Sequence, residues 1–343
     1  MRITQQDIAR LASVSQATVS RVLSGDGRVE PEIRDRVTHV MRSHNYQPDS
    51  RARSLRSKRT GLIGLVVKRP AAGLSQDPFF ASLVSSIMDF LAGKPYHLCI
   101  DMVASQSSQE ATYDELLRTR RVDGVILVES EARDERITRL ERDQFPFVLI
   151  GNPLMSGEER ETIWSVDNDN IYASEVATKH LMEQGYRRVG ILAGPYGITV
   201  SEDRIIGYQR AIAGNANPEL IWHSDFGFES ARESALEIFA TRDRPDALVV
   251  LDDYMAMGVV LAARESDLSV PDQLGLVSFN DTLLTQMVEG GLTSVSLNIP
   301  QIVRSGCGRL LKIIEGKPIY GERRLIVDSQ IKVRGSSCPT YSR

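Results

Sequence analysis

Gln16, Thr18, Ser20 and Arg21 fall within six residues of one another and carry an amide, two hydroxyls and a guanidinium. These groups suit the reading of nucleic acid. An amide pairs with adenine, a guanidinium with guanine or phosphate, and hydroxyls with phosphate oxygens. A second stretch, SRARSLRSKRTG from Ser50 to Gly61, has five basic residues, no acidic one and a lone leucine, Leu55. A buried helix would surround that leucine with apolar neighbours, and a solvated basic tail would not need it.

Residues that could do covalent or metal chemistry are scattered. The five histidines (His39, His44, His97, His180, His223) do not cluster, and Cys99, Cys307 and Cys338 have neither metal-ligand spacing nor a disulfide framework. VVKRPAAGL stands after the first apolar run where a dinucleotide site would need G-x-G-x-x-G, and no Walker or G-x-S-x-G motif occurs. The chemistry to expect is binding, with no catalysis, no cofactor and no metal. The opening MRITQQDIAR lacks an apolar signal region, and no apolar run approaches the roughly 20 residues that cross a bilayer. A reduced, cytoplasmic protein is expected.

The elements that must position these residues follow from spacing. ITQQDIARLA places Ile3, Ile8 and Leu11 at helical intervals behind a Thr4–Asp7 capping box. Ser15 can cap a second helix with Val19, Val22 and Leu23 inward and Gln16, Ala17, Thr18, Ser20 and Arg21 outward. Gly25 and Gly27 break the chain, Pro31 starts a third helix, and Ile33, Val37, Val40 and Met41 line its inner face. Three short helices with a tight first turn form a helix-turn-helix, whose second helix enters the major groove. Charge agrees: residues 1–60 carry a balance of +6 and the remainder −10, a basic head on an acidic body. From Gly61 onward, strand-like runs alternate with helical stretches in two series of over a hundred residues each. Such alternation calls for parallel sheets with helices on both faces, and a ligand site beyond the carboxyl ends of the strands.

DIARLASVSQATVSRVLSGDGRVEPEIRDRV, with its VSxxTVSRVL core, resembles the N-terminal signature of the lactose/galactose repressor family of bacterial transcription regulators. The likeness continues through the hinge and first core strand, NYQPDSRARSLRSKRTGLIGLVV, and the blocks RVDGVILVES, VDNDNIYASEVATKHLMEQGYRRVGILAGP, DRIIGYQRAI, VPDQLGLVSFND and LTSVSL. It implies an all-α helix-turn-helix head and hinge helix, joined to an α/β, two-lobed, periplasmic-binding-protein-like core with parallel sheets. Expected bounds are 1–49 for the head, 50–60 for the hinge and 61–343 for an effector-binding and dimerisation core. Within that core the N-lobe spans about 61–164 and 296–323, and the C-lobe about 165–295 and 324–343.

The resemblance implies a regulator, expected to be a repressor, that binds a near-palindromic operator as a homodimer, a tetramer being left open. DNA contacts are expected from Thr4, Ser15, Gln16, Ala17, Thr18, Ser20, Arg21 and Arg28 in the head. In the hinge they are expected from Arg51, Ser54, Leu55 and Arg56, with Arg53 also placed to neutralise phosphate. Leu55 matches the leucine that wedges between base steps in the minor groove, while a hinge too short to be stable alone folds on DNA. Effector positions fall on Phe79, Phe80, Asp167, Arg204, Phe226, Asp252 and Asn280. Asn280 replaces the usual aspartate, and Ile198 stands where the purine-binding branch has arginine. A sugar or sugar derivative therefore leads, with a nucleoside or protein effector as the alternative and a solute-binding protein less favoured. Read without the resemblance, the phenylalanines could equally be core aromatics and the two aspartates helix N-caps.

Leu55→Ala is expected to lower operator affinity and DNA bending while leaving the melting temperature of the core unchanged. Anisotropy, a circular-permutation bend assay and a thermal scan check this. A loss of several degrees would identify a packing residue.

Overall fold

Residues 3–23, 26–46, 59–67, 77–102, 119–132, 134–153, 162–213 and 220–339 are described by the computed structural model. The chain divides into two units, Met1–Gly61 and Leu62–Arg343.

In the first unit, helix α1 (Gln5–Leu11) begins at the expected capping box: Thr4 Oγ1 accepts the Asp7 amide at 3.2 Å and the Asp7 carboxylate accepts the Thr4 amide at 3.0 Å. After a turn with left-handed Ser13, Ser15 Oγ accepts the Thr18 amide at 3.1 Å and opens α2 (Gln16–Leu23). Pro31 starts α3 (Pro31–Ser43), whose Arg36 donates to the Ala12 carbonyl and ties α3 to that turn. Ile8, Ala9, Ala12, Val19 and Val37 are the buried centre. Two expectations shift. Leu11 is 47% exposed because Ala9 and Ala12 share the inward face with Ile8, and Ser20, expected outward, is 8% exposed because it lies beside Val19.

Among the described residues, the second unit holds two six-stranded sheets. The first has the order β2 (His97–Met102), β1 (Leu62–Val67), β3 (Gly124–Val128), β4 (Phe147–Ile150), β5 (Ser165–Asp167), β11 (Arg324–Ile326). The second has the order β7 (Ile221–His223), β6 (Val189–Ala193), β8 (Ala247–Val250), β9 (Gly275–Phe279), β10 (Thr293–Ser296), β12 (Gln330–Lys332). All pairings are parallel except β10–β12. In β3, Val125 and Leu127 enter one apolar cluster while Ile126 and Val128 enter another, so both faces are covered and the strand reads as an unbroken apolar run.

Ten helices lie among the described residues; those of the second unit are α4 (Pro78–Leu91), α5 (Glu135–Arg142), α6 (Asn170–Glu183), α7 (Thr199–Ile212), α8 (Phe228–Phe239), α9 (Asp253–Glu265) and α10 (Ile299–Glu315). Asp77, Asp134, Asp169 and Asp252 cap α4, α5, α6 and α9 by accepting first-turn amides, which sets a carboxylate against the positive end of each helix.

The chain crosses between lobes three times, slightly later than expected. β5 and β11 belong to the first sheet, so Ser165–Asp167 and Arg324–Ile326 lie in the N-lobe and the crossings fall at 168–169, 297–298 and 327–329. These strands are too short to show an apolar pattern. They are held instead by Arg309 of α10, which donates to the carbonyls of Ser165 at 3.0 Å and Arg323 at 2.7 Å. Asn168 ties the crossings together: its amide nitrogen donates to the carbonyls of Leu297 (3.1 Å) and Val327 (2.7 Å).

Helix pairs α6–α7 and α8–α9 approach to backbone contact. A Cβ on Gly207 would stand 2.1 Å from the Ile171 carbonyl oxygen, and one on Gly258 2.1 Å from that of Phe228. Gly207→Ala gains about 1 kcal/mol of helix propensity. No rotamer relieves a clash with backbone, so overpacking wins, and a net loss of about 1–3 kcal/mol is expected from urea unfolding of the core.

Candidate functional site

Two surfaces carry the expected chemistry. In the head, Gln16, Ala17 and Arg21 are exposed on one side of α2, and Ser15 is exposed at its start. Thr18 is half-buried, its hydroxyl 2.8 Å from that of Ser15. The Thr4 hydroxyl is used in the capping box. Arg28 is exposed and held side-on by Asp26 at 2.9–3.0 Å, and its hydrogen bonds pull the Asp26 carboxyl down to about 2. Arg51, Arg53, Ser54, Leu55 and Arg56 lie outside the described residues.

The second surface is the cleft between the lobes, at the carboxyl ends of the strands. Of the seven expected effector residues, Phe79, Asp167, Arg204, Phe226, Asp252 and Asn280 border one cavity there, and Phe80 instead packs against the apolar core. Phe79 is placed by the first turn of α4, Asp167 by the end of β5, Asp252 by the start of α9 and Asn280 by the end of β9, while Arg204 stands within α7 and Phe226 in the loop between β7 and α8. Asn280 adopts φ 99°, a left-handed region that asparagine tolerates better than most residues. Buried Asp253 holds the loop after it, accepting the Thr282 amide at 2.6 Å and the hydroxyls of Ser278 and Ser294. Gly194 makes room for the Phe226 ring, since a Cβ there would lie 2.6 Å from it.

Arg204 is 4% exposed. Its Nε and Nη2 both donate to Asn170 Oδ1 at 3.1 and 3.0 Å, Nη1 donates to the Leu251 carbonyl, and the guanidinium lies 3.8 Å from the centre of the Phe279 ring. Burial lowers it to about 10, opposed by the charges of Asp167, Asp252, Asp203 and Asp253. Asp167 Oδ1 accepts the Asn168 amide at 2.8 Å and Asn170 Nδ2 at 3.1 Å. Burial raises Asp167 to about 7, against the Asn168 amide that lowers it. Asp252 is an N-cap, its Oδ1 accepting the Met255 amide at 2.6 Å; Asp167 caps nothing, because Asp169 caps α6.

The lobes also touch directly. Asn152 donates to Asp203 at 2.8 Å, the Thr199 amide to the Ser130 carbonyl at 3.0 Å and the Ala132 amide to the Gly197 carbonyl at 3.2 Å. The cavity they enclose measures ≈ 90 Å³. Small-molecule sites run to about 300–1,000 Å³, so this cavity as it stands does not enclose a sugar. Sequence reasoning missed Asn152, Asn170, Thr199 and Asp203. Only Asn170 had a signal, three residues after Asp167 at the start of a helix.

Comparison with known proteins agrees with this layout. Residues 4–49 match the model for bacterial regulatory proteins of the lacI family, and residues 178–337 match a periplasmic binding protein-like domain. Catabolite control protein A of Staphylococcus xylosus is 31% identical over 340 residues, 98% of this chain and 100% of the relative. The chain belongs to the lacI family. This lacI-family chain is therefore a DNA-binding transcriptional regulator. It is also similar, at 28% identity and a TM-score of 0.75, to the transcriptional regulator CelR in its cellobiose complex, over 98% of this chain and 100% of that one. The Lac repressor dimer bound to operator shares the fold, with a TM-score of 0.84 at 22% identity over 98% of this chain and 99% of that one.

Asp167 gives a pH signature. Its folded value lies above the ordinary carboxyl value of 3.8, so its contribution to stability is complete below about pH 4 and is lost as pH rises through about 7. Asp167→Asn keeps both accepted hydrogen bonds without the charge. Urea unfolding is expected to show a smaller loss of stability from pH 4 to pH 8 than in the parent chain. Equal losses would place the Asp167 value near that of an ordinary carboxyl.

Proposed function

We propose that this regulator is a repressor that binds a near-palindromic operator as a homodimer and responds to a sugar or sugar derivative held between its lobes. The observation that carries the reading is the convergence of six expected side chains on one interlobe cavity. A guanidinium, carboxylates and an amide serve hydroxyl groups, and the Phe226 face suits the apolar side of a sugar ring. The cellobiose bound by CelR is in keeping with that ligand class.

The control follows from linkage. A ligand shifts the balance between open and closed lobes only by its differential affinity for the two, and that balance sets the spacing of the two heads of a dimer. Gln16, Ala17, Thr18 and Arg21 read bases or phosphates from α2, and Leu55 acts from the hinge between Arg51, Arg53 and Arg56. Thr4, Ser15, Arg28 and Ser54 complete the contacts to the backbone of the DNA. Buried Ser20 supports the helix instead. The protein works in the cytoplasm, on the nucleoid, and catalyses no reaction. No helix among the described residues is long and apolar enough to cross a membrane.

The test is anisotropy of the full chain on DNA from upstream of its own gene, with and without a panel of sugars, sugar acids and sugar phosphates. Arg21→Ala is expected to lose about 5- to 150-fold on that DNA, the equivalent of about 1–3 kcal/mol of base discrimination, and much less on random DNA. Equal losses on both would make Arg21 a phosphate clamp. No response to any panel member, with calorimetry also silent, would favour a nucleoside or protein effector.

A further inference from the structure

Arg204 is the one cation among the described residues bordering the cavity, against the carboxylates of Asp77, Glu129, Asp167 and Asp252. A lone buried guanidinium would ordinarily clamp a carboxylate or phosphate side-on through Nε and Nη2. Here that edge is taken. Both nitrogens converge on Asn170 Oδ1, and Nη1 is engaged by the Leu251 carbonyl. Asn170 is itself fixed from the other side. It is 4% exposed, and its Nδ2 donates to Asp167 Oδ1 across the lobe crossing. The amide serves both neighbours at once, its oxygen accepting from the guanidinium and its nitrogen donating to Asp167.

We propose that Asn170 determines the charge selectivity of the cleft: by masking the side-on edge of Arg204, it makes the site take uncharged or cationic polyols and refuse those bearing carboxylate or phosphate. This rests on the effector cleft proposed above. A hydroxyl needs a single N–H from Arg204, whereas an oxyanion binds best through the fork and must also enter beside Asp77, Glu129 and Asp252. Displacing Asn170 would break two hydrogen bonds to a charged group and leave Asp167 Oδ1 with the Asn168 amide as its remaining donor.

The test uses the full chain and inorganic phosphate as the probe, at fixed ionic strength, with affinity read from the melting temperature of the core. Asn170→Ala unmasks the fork and is expected to bind phosphate about tenfold or more tightly than the parent chain, as hydrogen bonds to a charged group warrant. The gain is expected to vanish in the Asn170→Ala, Arg204→Ala double variant. Asn170→Asp keeps an acceptor on Arg204 and is expected to refuse phosphate like the parent. Asn170→Ser, too short to reach the guanidinium, serves if the alanine variant does not fold. The same phosphate affinity in the parent and unmasked chains overturns the proposal, as does a gain that persists without Arg204. A parent chain that prefers a sugar phosphate or aldonate to its uncharged form overturns it too. Because the probe is phosphate, a silent sugar panel leaves this result standing.

Discussion

A single buried amide sets the geometry between the lobes. Asn168 lies on the first crossing and donates to carbonyls on the second and third, while the Val327 amide returns to the Asp167 carbonyl at 2.8 Å. Without it, two buried carbonyls would each lose a partner, at a cost of about 1–3 kcal/mol apiece. Its neighbours in DNDN divide the remaining work. Asp167 borders the cavity, Asp169 caps α6 by accepting the Tyr172 amide, and Asn170 orients Arg204. Four consecutive residues thus link the lobe crossings, a helix and the site, and a change in the angle between the lobes cannot leave Arg204 undisturbed.

The closed cleft has an energetic meaning. The Asn152–Asp203 bond and the backbone contacts of Ser130 and Ala132 hold the lobes together through the chain's own groups. A ligand too large for the enclosed cavity binds only where these contacts give way, and it shifts the balance by its differential affinity for the two forms. The aspartates at the rim serve two purposes. Asp77 and Asp252 satisfy first-turn amides and also present carboxylate toward the cavity. An N-cap and a ligand group are therefore not rival readings of Asp252.

Much of this was legible in the sequence, and the exceptions share a cause. Capping box, Ser15 cap and Pro31 start are local chemistry, and the head follows them. The alternation of apolar runs and helices gave the two sheets because buried parallel strands are apolar on both faces. Ser20 and Leu11 were misplaced because neighbouring positions on a short helix differ by one third of a turn, which a loose apolar stripe does not resolve. β5 and β11 were assigned to the wrong lobe because a three-residue strand has no period. Asn152, Asp203 and Asn170 matter through partners distant in the chain or across a crossing, which spacing does not show.

The placement of β11 and β12 has a consequence for synthesis. Each sheet receives its sixth strand from the last stretch of the chain, at Arg324–Ile326 and Gln330–Lys332. The head needs nothing beyond Tyr46 for its apolar centre. At about 5–20 residues per second, the ribosome releases a head able to fold roughly 15 to 60 s before either lobe can be completed. For that interval a nascent chain carries a basic, foldable DNA-reading unit with no finished control domain behind it.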